Sequence, residues 1–312
     1  MKVLVTCPPM IGMIDRLAAA FDEQQWSVHC PEFTQTLSVD ELCELVPQFD
    51  GWIIGDDPAT AQVFRAGAHG KLRAAVKWGI GVDNVDFAAA ESCGIPVTNT
   101  PHMFGAEVAD LAMCYLTALA RQTHLIDRGV RDGGWPKPAG ISLAGRTVGV
   151  IGLGDIGSNF ARRAAAADMR IIAYDPGVAA SSGAGEVSLA SWPERVPECD
   201  FLVFTCALNA ENRHMMNVEV FASVRTGVRL VNVARGPLID ESALEAALAD
   251  GTVHSAALDV FEAEPLPEQS RLREHPRCIF GSHNASNTED AVLRASERAI
   301  GLLSGFLGET RL

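Results

Sequence analysis

The chain has 312 residues, 48% of them hydrophobic and 21% charged, with a net charge of −14 and a mean hydropathy of +0.12. That length suggests about two domains with ample apolar residues for two cores, and it excludes a disordered chain, a collagen-like chain and a small disulfide scaffold. So acidic a chain has no overall electrostatic reason to seek nucleic acid or an anionic membrane, although local cations can still bind a small anion.

The first apolar run, residues 2–6, is too short for a signal peptide and reads as a strand. Further runs of strand length follow at 51–54, 72–78, 147–151, 171–174, 201–205, 230–233, 255–260 and 278–280, with helix-like stretches between them. Continuous runs of this kind suit parallel strands covered on both faces, so the expected fold class is α/β with doubly wound parallel sheets. The rhythm breaks once, over residues 107–121, where Val108, Leu111, Ala112, Tyr115, Leu116 and Leu119 recur at helical spacing. A long helix there is expected to connect two domains, its apolar face buried between them or against another subunit. Gly133-Gly134-Trp135-Pro136-Lys137-Pro138 then interrupts the chain. Later, Asp240-Glu241-Ser242 opens a helix that runs through Leu244, Ala247 and Leu248 and stops at Gly251.

None of the eight cysteines lies in a C-x-x-C pair, which leaves metal and thioredoxin-type readings without support. Several sit in apolar runs, where cysteine serves as a small hydrophobe. No stretch approaches the roughly 18 apolar residues of a membrane span. We therefore expect a cytoplasmic protein with reduced thiols and no metal.

Val148-Gly149-Val150-Ile151-Gly152-Leu153-Gly154-Asp155-Ile156-Gly157 places G-x-G-x-x-G between an apolar strand and an alanine-rich helical stretch. Gly152 permits the tight turn and Gly154 lets backbone approach a pyrophosphate. Gly157 lets the helix pack close, with the N-terminal amides at Asp155 and Ile156 facing the anion. The Asp155 carboxylate is unfavourable there if it points at the phosphates. Asp175 ends the next strand at the position of a ribose-binding acid, and Pro176, Gly177 and Val178 after it bring no arginine. A carboxylate accepts both ribose hydroxyls of NAD and repels the 2′-phosphate of NADP, so NAD is the expected cofactor.

Three later segments, Val231–Glu241, Ala257–Pro265 and Gly281–Ser286, together with Gly79-Ile80-Gly81-Val82-Asp83-Asn84-Val85-Asp86 and the fingerprint, resemble the D-isomer-specific 2-hydroxyacid dehydrogenases, nearest their phosphoglycerate-dehydrogenase-like branch. The likeness runs from about residue 71 to 288, and the first seventy residues match only in general pattern. It implies an NAD-dependent enzyme that interconverts a 2-oxo acid and a D-2-hydroxy acid. Such chemistry needs a cation for the substrate carboxylate and a proton donor for its carbonyl oxygen. Arg235 offers a planar fork to a carboxylate, and His283 can yield a proton near neutral pH. Glu264 is implied as the partner that favours imidazolium, whereas nearby Glu262 reads as a solvated loop acid. The resemblance also places Asp259 beside the nicotinamide and counts Thr205, Val233, Ala234 and Ser286 among the cofactor positions. Ile80 and Gly81 fall in the loop implied to offer amides to the substrate carboxylate. Lys77 just before them reads either as the holder of a second anionic group or as a strand lysine whose stem lines apolar surface.

Departures from the pattern bear on substrate. An arginine frequent after the strand at Ile53-Ile54-Gly55 is missing, which disfavours a phosphorylated substrate. His102-Met103-Phe104-Gly105 replaces an asparagine-containing loop, while Ser282 and Ala207 stand where prolines are frequent. With Leu312 as the last residue, no appended regulatory domain is expected. The expected domains are a flavodoxin-like substrate domain, 1–100 plus 287–312, and a Rossmann NAD-binding domain, 101–286, with the active site in the cleft between them. The partners expected are a small 2-oxo or 2-hydroxy acid and, through the long apolar helix, a second copy in a homodimer. Two rivals stand beside this reading: an NAD-sensing corepressor-like module without appreciable turnover, and a formate- or phosphite-type dehydrogenase of the same fold.

Overall fold

Every apolar run named above becomes a parallel strand. The computed structural model describes residues 1–33, 35–178 and 187–309. Two units divide the chain, Met1–Phe104 with Asn287–Leu312 and Gly105–Ser286. In the first, β1 (Lys2–Val5), β2 (Ser27–His29), β3 (Gly51–Ile54), β4 (Ala74–Lys77) and β5 (Val97–Asn99) form a sheet of order β2-β1-β3-β4-β5, parallel throughout. This is the flavodoxin-like winding. Residues of β3 and β4 are buried along their whole length, as strands covered on both faces require. On one side Trp52 packs near Phe64 of helix Ala61–His69, ring centroids 6.2 Å apart. On the other, a Cβ added to Gly51 would lie 3.0 Å from the Leu303 side chain of helix Glu289–Glu309, a tight fit that glycine relieves.

The second unit holds β6 (Thr147–Ile151), β7 (Arg170–Tyr174), β8 (Val187–Leu189), β9 (Phe201–Phe204), β10 (Val228–Asn232), β11 (Val253–Leu258) and β12 (Cys278–Phe280). Their order is β12-β11-β10-β9-β6-β7-β8, again all parallel. The chain winds outward from β6 through β7 to β8, then returns to β9 and winds the other way. That reversal between β6 and β9 opens a crevice at the carboxyl ends of the strands, where doubly wound sheets bind ligands.

Strands β2, β5 and β8 were not foreseen. Each is three residues long and lies at a sheet edge, where partial exposure thins the apolar run that marks a central strand. The helix opened by Asp240 spans Glu241–Asp250. The Asp240 carboxylate accepts from the Ala243 amide at 3.0 Å, and Gly251 ends the helix at φ +85°.

The long helix, Gly105–Arg121, corrects an expectation: it belongs to the second unit and does not leave its apolar face bare. Val108, Ala112, Tyr115, Leu116 and Leu119 are buried there, against helix Asp155–Ala166 and strands β10 and β11. Only Leu111 of the residues foreseen on that stripe stays half-buried. The helical period was right, but it marked packing within the chain's own domain.

Candidate active site

The fingerprint follows β6 as a turn whose three glycines do different work. At φ +93°, Gly152 holds a conformation that suits glycine, and a Cβ there would lie 2.6 Å from the Cys206 backbone. A Cβ on Gly157 would sit 2.0 Å from the Gly152 carbonyl oxygen, so any side chain would push the helix off the turn. Around Gly154 the equivalent space is open to 4 Å. That is the cradle a pyrophosphate needs, at the N-terminus of helix Asp155–Ala166. The Asp155 carboxylate lies where a Cβ on Gly105 would stand, 2.2 Å from it, so it faces the N-terminus of helix Gly105–Arg121, whose dipole favours an anion. Ile156 in the first turn is half-buried.

Asp175, at the end of β7, accepts from the Leu153 amide at 2.6 Å and from the Gly177 amide at 2.8 Å, and so ties its own strand end to the phosphate turn. Thr205, at the end of β9, donates its hydroxyl to the carbonyls of Gly152 (2.8 Å) and Ile151 (3.1 Å). It therefore acts on the turn from behind. Val233 and Ala234 after β10 are buried, and Ser286 is half-buried.

Arg235, Glu264 and His283 leave the carboxyl ends of three successive strands, β10, β11 and β12. Asn232 shapes the first of these loops, accepting from the Ala234 amide at 3.1 Å and donating to the Arg235 carbonyl at 2.9 Å. The Arg235 guanidinium donates to the Ala234 carbonyl at 2.8 Å. A Cβ on Gly236 would lie 1.9 Å from the Phe261 carbonyl carbon, so the loops after β10 and β11 meet backbone to backbone. Glu264 accepts from the Phe261 amide at 2.9 Å with one oxygen, and its other oxygen lies 2.8 Å from His283 Nδ1. Both side chains of that pair are 22% exposed. With Nδ1 held by the carboxylate, Nε2 is the nitrogen that can hand a proton to a substrate.

Asp259 opens the loop after β11 and is 1% exposed. Burial pushes its carboxyl up, while the amides of Asn284 and Ala285 and the nearby His283 pull it back. The Ala285 amide donates to Oδ2 at 2.8 Å, the Tyr115 hydroxyl lies 3.4 Å from Oδ1, and the His283 amide donates to the Asp259 carbonyl at 2.7 Å.

In the first unit, Lys77 ends β4 and the segment after it carries Ile80 and Gly81 at the carboxyl edge of that sheet. Gly79 turns it at φ +110°, with its amide donating to Thr100 at 2.8 Å. Ile80 is 40% exposed. Lys77 is 2% exposed and neither snorkels to water nor stands alone. Its ammonium reaches Asp56 at 3.2 Å and donates to the Trp78 carbonyl at 2.9 Å.

The contacts of five residues escaped the sequence reading: Asn232, Tyr115, Asp56, Glu241 and Glu262. Glu262 is the exposed loop acid expected, yet it is held by partners. It accepts from the Glu241 amide at 2.9 Å, while Glu241 accepts from the Glu262 amide at 2.6 Å, and His214 Nε2 lies 3.2 Å from Glu262. This clasp fixes the loop that carries Glu264. A loop acid three residues before a proline gives no such signal, since its partner lies 21 residues away.

A model of the family described as D-isomer specific 2-hydroxyacid dehydrogenase, NAD binding domain, matches residues 113–285, more than half the chain. A hydroxypyruvate reductase of Thermotoga maritima is 38% identical over 266 residues, 84% of this chain and 86% of that protein. A chloroplastic D-3-phosphoglycerate dehydrogenase of Arabidopsis thaliana is 36% identical over 281 residues, covering 88% of this chain and 48% of that relative, so the chain spans about half the length of such relatives. The solved structure of the TT0316 protein from Thermus thermophilus is 31% identical with a TM-score of 0.86, covering 99% of this chain and 97% of that one. The crevice, the glycine turn and these matches define an NAD-binding oxidoreductase fold. The chain belongs to the D-isomer-specific 2-hydroxyacid dehydrogenases, with phosphoglycerate-dehydrogenase-like relatives, and its second unit carries the NAD-binding domain of that family.

Proposed function

We propose that the protein reduces a small 2-oxo acid to the D-2-hydroxy acid with NADH, and runs the reverse reaction with NAD. The observation that carries this reading is the 2.8 Å pair of His283 Nδ1 and Glu264, borne on strand ends adjacent to the one that presents Arg235. Bound NADH supplies the hydride. The turn Gly152–Gly157 receives its pyrophosphate at the open face of Gly154, and Asp175 receives a ribose. Arg235 holds the substrate carboxylate by two parallel hydrogen bonds. His283, kept as imidazolium by Glu264, gives its Nε2 proton to the carbonyl oxygen as negative charge develops there.

Replacing Glu264 by glutamine removes the charge that favours imidazolium and keeps the shape. The pH optimum of reduction is then expected to move downward, because the acid form of His283 is lost at a lower pH. A pH profile identical to the parent's would refute the pairing.

The substrate proposed has a short tail without a second strong anion. Lys77 already faces Asp56, and the segment Gly55-Asp56-Asp57 after β3 is acidic where an anion-holding arginine would serve a phosphate. Relatives are named both for hydroxypyruvate and glyoxylate and for phosphoglycerate, so the acidic segment carries the choice. An NADH-consumption screen of 2-oxo acids tests this: hydroxypyruvate or glyoxylate should exceed phosphohydroxypyruvate in kcat/KM, and the opposite order would reject the assignment. NADH binding without turnover on any of them would reject the enzyme in favour of a sensor.

The protein is proposed to be cytoplasmic and homodimeric. Its eight cysteines are unpaired, several as buried packing groups, as suits a reducing compartment. With the inner face of helix Gly105–Arg121 already covered, the case for a dimer moves to Val130 and Trp135, 43% and 77% exposed at and just beyond the end of helix Thr123–Arg131. Side chains of that size are usually covered in an assembly. Light scattering at micromolar concentration should give twice the 33.2 kDa of one chain, and a concentration-independent mass of one chain would contradict it.

A further inference from the structure

His283 sits at φ +55°, a left-handed backbone that a residue with a side chain adopts only when its surroundings hold it there. Two bonds to one residue do the holding. The His283 amide donates to the Asp259 carbonyl at 2.7 Å, and the Ala285 amide donates to Asp259 Oδ2 at 2.8 Å. Asp259 in turn needs its side chain fixed, for a buried carboxylate free to rotate is costly to keep charged, and the Asn284 amide acts on it too. Its second oxygen faces Tyr115, whose ring is buried on the inner side of helix Gly105–Arg121. Gly281, at the start of the same loop, is glycine for this reason. A Cβ there would lie 2.0 Å from Asp259 Oδ1 and 2.6 Å from the Tyr115 hydroxyl, blocking the approach of the two.

We propose that Tyr115 is a positioning residue for the acid/base loop: its phenol donates to Asp259 Oδ1, leaves Oδ2 to the Ala285 amide, and so fixes the left-handed turn that keeps His283 on Glu264. The inference rests on the reading of His283 as the proton donor, and it adds a residue from a helix distant in sequence to that machinery. Burial makes the phenol a harder group to ionise, so it stays a donor through the whole working range. Tyr115 from the helix, Glu264 from the loop after β11 and His283 from the loop after β12 are the titratable groups that act on Asp259. Of these, Glu264 opposes its charge and His283 favours it, while the phenol lies at 3.4 Å as a donor to Oδ1, which favours the charged form. Loss of the phenol lets Asp259 take up a proton at a higher pH, and a protonated carboxyl no longer accepts fully from Ala285.

Tyr115→Phe removes one oxygen and keeps the ring. In the parent and the variant, two quantities are to be measured: kcat across pH, and amide hydrogen exchange of Ala285 in the cofactor-free protein. The variant should lose about tenfold in kcat below pH 6 and stay within about twofold at pH 8, the size expected for one charged hydrogen bond. Ala285 should exchange about tenfold faster, while the amides of β10 and the melting temperature stay unchanged. In an Asp259→Asn background the same substitution should add nothing to Ala285 exchange. Parent-like exchange together with a parent-like pH profile, or additive effects with Asp259→Asn, would overturn the proposal. Should the parent prove inactive on every 2-oxo acid, the functional reading fails, and the exchange measurement still decides the role of Tyr115.

Discussion

Replacing His283 by alanine is expected to lower kcat by about a hundredfold or more, with NADH binding nearly intact. The imidazole stands at its strand end with Nδ1 against Glu264 at 2.8 Å, and on the proposed function its other nitrogen delivers the proton. Its removal does not empty a core: the side chain is 22% exposed, and the loop is anchored through backbone amides to Asp259. Alanine at φ +55° costs about 1 kcal/mol, too little to unfold a domain of this size. Steady-state kinetics with a fluorescence titration of NADH separates the two effects, and an unchanged kcat would remove His283 from the chemistry.

Gly154→Val is the second substitution with a large expected effect, and it acts on the cofactor alone. Gly154 has a negative φ of −69° with ψ −153°, so it is not in the left-handed region that would exclude a side chain. Its would-be Cβ meets nothing within 4 Å. The fold should therefore tolerate the change, with a melting temperature close to the parent's. The added methyl groups fill the space where a pyrophosphate must come against the amides, so NADH affinity should fall about a hundredfold, as the loss of one or two charge-assisted hydrogen bonds implies. Gly157→Ala makes the contrast. Its Cβ would lie 2.0 Å from the Gly152 oxygen, so it should lower the melting temperature as well as binding. Parent-like affinity in Gly154→Val would mean that the phosphates do not lie there.

Much of the second unit was legible because its sequence states its own physics. Central strands such as β6 and β9 are buried throughout and read as unbroken apolar runs, and the glycines after β6 have a steric reason at Gly152 and Gly157. The edge strands β2, β5 and β8 carried no such signal. Of the candidate site, the residues proposed for the chemistry stood out by type, whereas those that hold them did not. Tyr115 looks like any core aromatic on a helical stripe, and its hydroxyl matters only because β11 brings Asp259 to it, 144 residues later. The Glu241–Glu262 clasp and the Lys77–Asp56 pair are likewise products of the fold, 21 residues apart in each case. The long helix misled for the converse reason. An apolar stripe tells that a face is covered and is silent on whether a sheet or a second copy covers it.

The account turns on hydride delivery to the C2 carbon of a 2-oxo acid, with His283 protonating the oxygen. NADH carrying two deuteriums at C4, incubated with the protein and the 2-oxo acid of three or more carbons it turns over fastest, tests this directly by mass spectrometry and chiral analysis of the product. The account predicts a D-2-hydroxy acid with one deuterium at C2, formed at least about a hundredfold more slowly by His283→Ala. A product without the label, the L enantiomer, or NADH that stays bound and unconsumed would contradict it.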